Sequence, residues 1–237
     1  RASPPPKGAP ADFVPPDANI AHKAIAIRLD AGSGGVAQGS TWLAFEHDTL
    51  RVAGIWTGEG FIDWHGINFD GRHVVRPRTV GDLRFETADA PGWAHPATGR
   101  FDDARITGLD GRRYGPLPRD WARYRGLYQQ DGRVVVSYRV GDADILESHE
   151  LESAEPLRVA RLLNIGKSSR DLALRAANAG ARLHLRGPHA VKLESADGFE
   201  VVRIPASATP LKLAIVYGAD TGQTTPVPDL APLARGS

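Results

Sequence analysis

The sequence contains no cysteine and no methionine. Without cysteine there is no disulfide, no thiolate metal site, no Cys nucleophile and no covalent c-type haem attachment within these residues. Methionine is missing even at position 1. The chain therefore reads as starting after processing or as a trimmed piece, with no signal peptide left to interpret. Neither charge dominates: 29 Lys and Arg face 28 Asp and Glu, for a net charge of +1. With no Lys/Arg cluster interleaved with aromatics, the electrostatic footprint of nucleic-acid binding is absent. No apolar run approaches the length of a membrane span. Neither the G-x-S-x-G nucleophile elbow nor the H-E-x-x-H zinc helix occurs.

The 237 residues are 41% hydrophobic, with 26 Gly and 18 Pro. That is enough for one large β domain or two small ones, and it favours many turns over long helices. Residues 1–19 are Pro-rich and read as an extended arm or linker, because Pro cannot continue a helix or a central strand. Alternation begins at Ile25, Ile27 and Leu29, as a half-buried strand requires. TWLAFE and LRVAGIW follow as two more strands. Beyond Tyr124 the pattern is a meander. Tyr124 to Gln130, Arg133 to Val140 and Ala143 to Glu152 are joined by Asp131-Gly132 and Gly141-Asp142, both favoured hairpin turns. Val134, Val136, Tyr138 and Val140 share one face. Further short strands are expected at Leu157 to Ile165, Leu172 to Ala177, Ala181 to Leu185, Ala190 to Glu194, Phe199 to Ile204 and Leu211 to Tyr217. This spacing predicts an all-β fold, a large antiparallel β-sandwich of residues 20–221, with the supersandwich of mutarotase-like domains as its more specific form. Residues 222–237, with Pro226, Pro228 and Pro232, read as a Pro-rich linker to a following domain.

From Gly58 to Asp120 the periodicity fades, and Gly, Pro and Asp punctuate the chain. A connection this long should be an ordered loop region lying across one face or edge. Its densest part is WTGEGFIDWHGINFDGRH, residues 56–73. Asp63, His65, Asp70 and His73 could supply acid–base groups or ligands for a divalent metal. The alternative is that they bond the backbone of an irregular loop. Glu59, Asp102, Asp103, Asp120, Glu147 and Glu150 add carboxylates for glycosidic chemistry, too many to select a pair. Trp64, Trp93, Trp56, Trp121 and Tyr114, together with Trp42, Tyr124 and Tyr128, could stack on sugar rings, although Trp is often core. Of these, Trp64 and Trp93 are expected to be exposed.

Two nucleotide-like motifs carry little. Gly32-Ser33-Gly34-Gly35-Val36-Ala37 fits G-x-G-x-x-[GA], but a strand-like run follows where a helix is required. Gly166-Lys167-Ser168 has the end of a P-loop, yet Arg161 stands where its upstream Gly belongs.

The runs WTGEGFIDWHGINFDGRH, PGWAHPATGRFDD and GRRYGPLPRDWARYRGLYQQDGRVVVSYRVGDADILES resemble an uncharacterised N-terminal domain of large exported bacterial proteins. In those proteins it precedes a sugar-dehydrogenase-like β-propeller, with a c-type cytochrome domain further on. The resemblance runs from about Ile20 to the Pro-rich tail, and it transfers no catalytic residue. It implies a fragment whose partners are the propeller and cytochrome modules of its parent chain, in the periplasm or outside the cell. Haem c, and a divalent metal if there is one, would belong to that parent. The leading expectation is a non-catalytic accessory domain of an exported redox protein, binding a carbohydrate-like ligand or docking the other modules. The rivals are a carbohydrate-active hydrolase or lyase built on the 56–73 loop, and a purely structural docking module.

Overall fold

The computed structural model describes residues 20–21, 23–63, 78–108, 111–130, 132–220, 222 and 225–234. The arm 1–19 lies outside the described residues. These form strands β1 (Ala24–Arg28), β2 (Thr41–Glu46), β3 (Arg51–Thr57), β4 (Ile62–Asp63), β5 (Arg78–Thr79), β6 (Asp82–Glu86), β7 (Ile106–Thr107), β8 (Arg113–Tyr114) and β9 (Ala122–Gln130). They continue with β10 (Arg133–Val140), β11 (Ala143–Ala154), β12 (Leu157–Ile165), β13 (Leu172–Asn178), β14 (Leu183–Arg186), β15 (Lys192–Ala196), β16 (Phe199–Ile204) and β17 (Leu211–Tyr217). Among the described residues there is no α-helix.

The chain is an all-β sandwich. One layer is an antiparallel sheet in the order β14-β17-β12-β11-β10-β9. Facing it are a four-stranded sheet, β1-β2-β3-β6, and a three-stranded sheet, β13-β16-β15. All three sheets send alternate side chains into one core. Leu43, Phe45 and Ile55 meet Val136, Tyr138, Leu163 and Ile215, with Leu174 and Val202 from the third sheet.

Local chemistry sets the registers. The Asp197-Gly198 turn between β15 and β16 has φ of 51° and 80°, the positive pair of a type I′ hairpin. Gly141 has φ 56° ahead of Asp142, as a type II′ turn requires. The Gly32–Gly39 stretch wraps Arg28, whose Nη1 donates to Ser33 O at 3.0 Å. A single 3-10 turn, Val36–Gln38, and then β2 follow, leaving no α-helix for a pyrophosphate.

The long loop region is stitched to the sandwich by backbone bonds. Gly92 N donates to Thr49 O, and Arg175 N donates to Gly92 O, both at 2.8 Å. A Cβ on Gly92 would run into the Leu50 carbonyl, so only glycine passes here. Ion pairs reinforce the seam. Asp89 Oδ1 sits 3.1 Å from Arg105 Nη2 and 3.8 Å from Arg51 Nη2, and Arg105 also holds Asp103 at 2.8 Å.

The C-terminal stretch departs from the linker reading. Residues 225–234 lie on the outer face of the six-stranded sheet. Leu230 is fully buried, and Val227, Leu233 and Ala234 join it against Val135, Ala160, Leu162, Ala214 and Val216. Asn164 clasps the segment, donating to Pro228 O at 3.0 Å and accepting from Leu230 N at 2.8 Å. The reason is burial. β10, β12 and β17 carry apolar residues on both faces, and the outer set needs a cover. Proline bars the segment from a central strand but not from packing.

Candidate functional site

The loop expected to hold the chemistry falls only partly within the described residues. Trp64, His65, Asp70 and His73 lie outside the described residues. Asp63, at the end of β4, is half-exposed and faces Arg78 across the β4-β5 pair at 3.9 Å. Among the described residues, no three His, Asp or Glu side chains are placed to hold a metal ion.

The expected stacking residues divide. Trp93 is 0% exposed, Trp56 1% and Trp121 2%, so none offers a ring face to a ligand. The expectation of an exposed Trp93 is corrected by its packing, 6.1 Å from the Tyr138 ring in the core. Trp56 stacks on Trp42 at 5.8 Å and on Phe61 at 6.0 Å, and its Nε1 donates to Phe61 O. Trp121 Nε1 donates to Trp93 O at 3.1 Å. These bonds are what lets indole enter a core. Tyr114 does reach solvent, with the Arg112 guanidinium 5.2 Å above its ring.

One of the candidate carboxylates, Glu147, sits inside the sandwich in a polar cluster whose other members the sequence pattern did not single out. Glu147 and His149 on β11 and Arg161 on β12 have side chains at 0% exposure. The strand register places Glu147 opposite Leu163 and His149 opposite Arg161, all on the inner face. Glu147 Oε2 accepts from Tyr138 Oη at 2.5 Å and from Arg161 Nη2 at 2.9 Å. Its Oε1 meets His149 Nε2 at 2.9 Å, and Arg161 Nε lies 2.8 Å away but off the hydrogen-bond line. Burial pushes the Glu147 carboxyl up. The Arg161 charge and the His149 bond outweigh it and draw the group down to about 2. Burial and the neighbouring carboxylate hold Tyr138 well above its ordinary value. The cluster has acid–base groups at hydrogen-bond range, yet its carboxylate, guanidinium and imidazole are sealed from solvent. It serves as an internal ion pair. The one signal in the sequence was charge at inward positions of β11 and β12, which alternation alone cannot distinguish from a bulge.

A solvent-open groove lies elsewhere, on the outer face of the six-stranded sheet. A groove of ≈ 590 Å³ runs between β9 and the start of β17, bounded by the C-terminal segment. Tyr128, 36% exposed, stands on one wall. A bulge in β9 between the Tyr124 and Gly126 pairings sets Tyr128 opposite Val135 on the outer face. Arg125, the bulge residue, pairs with Asp144 at 3.0 Å, and Arg139 reaches the same carboxylate at 3.6 Å. Ser137 lines the groove as well. One aromatic ring, a fixed guanidinium–carboxylate pair and a hydroxyl thus converge on an open apolar trough, and this set can hold a hydroxyl-rich ligand.

Fold and groove together define an all-β sandwich with an open groove on the outer face of its six-stranded sheet. Residues 43–147, from β2 to β11, match the family model described as a domain of unknown function (DUF6797). Neither a curated protein nor a solved structure matches the chain.

Proposed function

We propose that this chain is a non-catalytic accessory domain that binds a carbohydrate-like ligand along the outer face of its six-stranded sheet. The observation that carries the reading is the groove with Tyr128 on its wall and the Arg125–Asp144 pair beside it. A sugar presents C–H faces that suit an aromatic ring and hydroxyls that suit a guanidinium, a carboxylate and Ser137. The sequence resemblance supports placing the domain in an exported parent chain with β-propeller and c-type cytochrome modules. In that setting the domain would hold substrate while haem chemistry proceeds elsewhere. No catalytic pair is assigned.

The test is binding of neutral oligosaccharides to the domain and to its Tyr128→Ala variant, by calorimetry. Loss of a stacking ring of this kind should weaken binding roughly two- to tenfold, since such contacts contribute roughly 0.5–1.5 kcal/mol. Stability should hold, because Tyr128 is a surface residue. Wild-type affinity retained in the variant would remove the groove from the function.

Docking against the other modules is the second reading, favoured by one observation. β9 is an outer strand of its sheet, and both Leu127 and Tyr128 on it are exposed. An open strand edge can accept a partner strand.

A further inference from the structure

A second cleft, of ≈ 490 Å³, opens at the same end of the sheet, beside β14. Lys212 lines both clefts, so they adjoin across β17. From β9 to β14 the six strands span about 24 Å at ~4.8 Å per strand, long enough for a short oligosaccharide. The second cleft differs in chemistry. His184 and Arg186 on β14, His189 just beyond it, and Lys212 on β17 all line it. Among the described residues, Lys212 and His189 have no ion-pair partner, and the buried atoms His184 Nδ1, Arg186 Nε and Arg186 Nη1 have no hydrogen-bond partner. The two Arg186 N–H groups are buried donors without acceptors, which is costly, and an oxyanion seated against them would relieve that cost.

The nearby carboxylates do not cancel this character. Glu152 bonds Arg186 Nη2 and also faces Arg158 at 3.7 Å, so one carboxylate serves two guanidiniums. Asp220 lines the cleft but is 66% exposed, and its Oδ1 stands 3.8 Å from His184 Nε2. Two imidazoles, a guanidinium with open donors and an unpaired ammonium therefore face one exposed acid.

We propose that the ligand is an acidic oligosaccharide, with Arg186, His184, His189 and Lys212 seating a carboxylate or sulfate ester while the sugar chain continues into the groove beside Tyr128. This rests on the carbohydrate reading above and names the substrate class for the same face. Arginine's planar fork suits a carboxylate, and the compact ammonium suits either oxyanion.

The test is calorimetry of the domain with cellohexaose, a galacturonate hexamer and a chondroitin sulfate hexasaccharide, at low and moderate salt. The expected result is an acidic hexamer bound at least tenfold tighter than cellohexaose, with that margin shrinking as salt rises. Which acidic hexamer binds tighter separates carboxylate from sulfate. Lys212→Ala should cut the acidic-to-neutral preference about tenfold, the scale of one charge-assisted hydrogen bond, and Lys212→Arg should restore it. His189→Ala, exposed and confined to the second cleft, should weaken acidic ligands while cellohexaose binding stays as it was. Equal affinity for neutral and acidic hexamers, or a preference untouched by Lys212→Ala, overturns the inference and leaves the sugar groove standing. Tight acidic binding indifferent to Tyr128→Ala keeps the anion cleft and overturns the groove. Binding of no hexamer overturns both.

Discussion

Replacing Glu147 with Gln preserves the shape of the buried cluster and removes its negative charge. Each carboxylate oxygen in the native protein faces two donor atoms: Tyr138 Oη and Arg161 Nη2 at one, His149 Nε2 and Arg161 Nε at the other. The Gln variant leaves the Arg161 charge enclosed with no counter-charge in contact, and its amide nitrogen confronts two of those donors. Breaking a buried pair this way costs roughly 3–5 kcal/mol, a large share of the 5–15 kcal/mol typical of a folded domain. With a urea slope of about 1–3 kcal/mol/M the unfolding midpoint should fall by roughly 1–5 M. Converting both partners, as Glu147→Leu with Arg161→Met, should recover most of the loss, because well-packed apolar replacements remove the desolvation cost with the charges. The pH profile gives a second readout. Glu147 has an ordinary value of 4.5 and a folded value of about 2. Its folded pKa is depressed, so its contribution is present above pH 4.5 and lost as pH falls from there toward 2. The amount is on the order of 3 kcal/mol. Glu147→Gln should erase that part of the acid sensitivity. Urea titrations at pH 7 and across pH 2–5 check both points. A Gln variant within 1 kcal/mol of wild type, with the same acid profile, would refute the reasoning.

Trp93→Ala should destabilise the domain by about 3–5 kcal/mol, as expected for a fully buried aromatic. Thermal unfolding followed by near-UV circular dichroism reads it, and a stable variant would mean that Trp93 is not a core residue. Leu230→Ala should cost about 2–5 kcal/mol and uncover the apolar patch around Val135, Leu162 and Val216. Increased binding of a hydrophobic dye alongside a lowered melting temperature is the expected signature. An unchanged melting temperature would show that the C-terminal segment does not cover the sheet in solution.

The strands were legible because they depend on local periodicity. Val134, Val136, Tyr138 and Val140 occupy the inner face of β10 as their alternation requires, and Gly141 and Gly198 sit where hairpin geometry demands positive φ. The candidate stacking residues could be named from the sequence but not sorted into core and surface, for a physical reason. A Trp reads the same in sequence whether its indole nitrogen meets solvent or a carbonyl such as Val36 O, which takes Trp42 Nε1 at 2.7 Å. Trp42, Trp56, Trp93 and Trp121 are all core, and three of these indoles donate to a carbonyl in this way, whereas Trp93 Nε1 has no hydrogen-bond partner among the described residues. The β9 bulge at Arg125, which turns Tyr128 outward, leaves no periodic trace. The C-terminal segment read as a linker from its prolines, while its partners lie on strands far away in sequence. Glu147 and Arg161 went unpaired in the reading because charges at inward positions find each other only across a register.

The most direct test of the central claim is a crystal structure of the domain soaked with a galacturonate hexamer. Sugar density is expected along the outer face of the six-stranded sheet, with one ring over Tyr128 and an acidic group at Lys212 and Arg186. Density elsewhere on the molecule, with both outer-face clefts holding solvent alone, would contradict that claim.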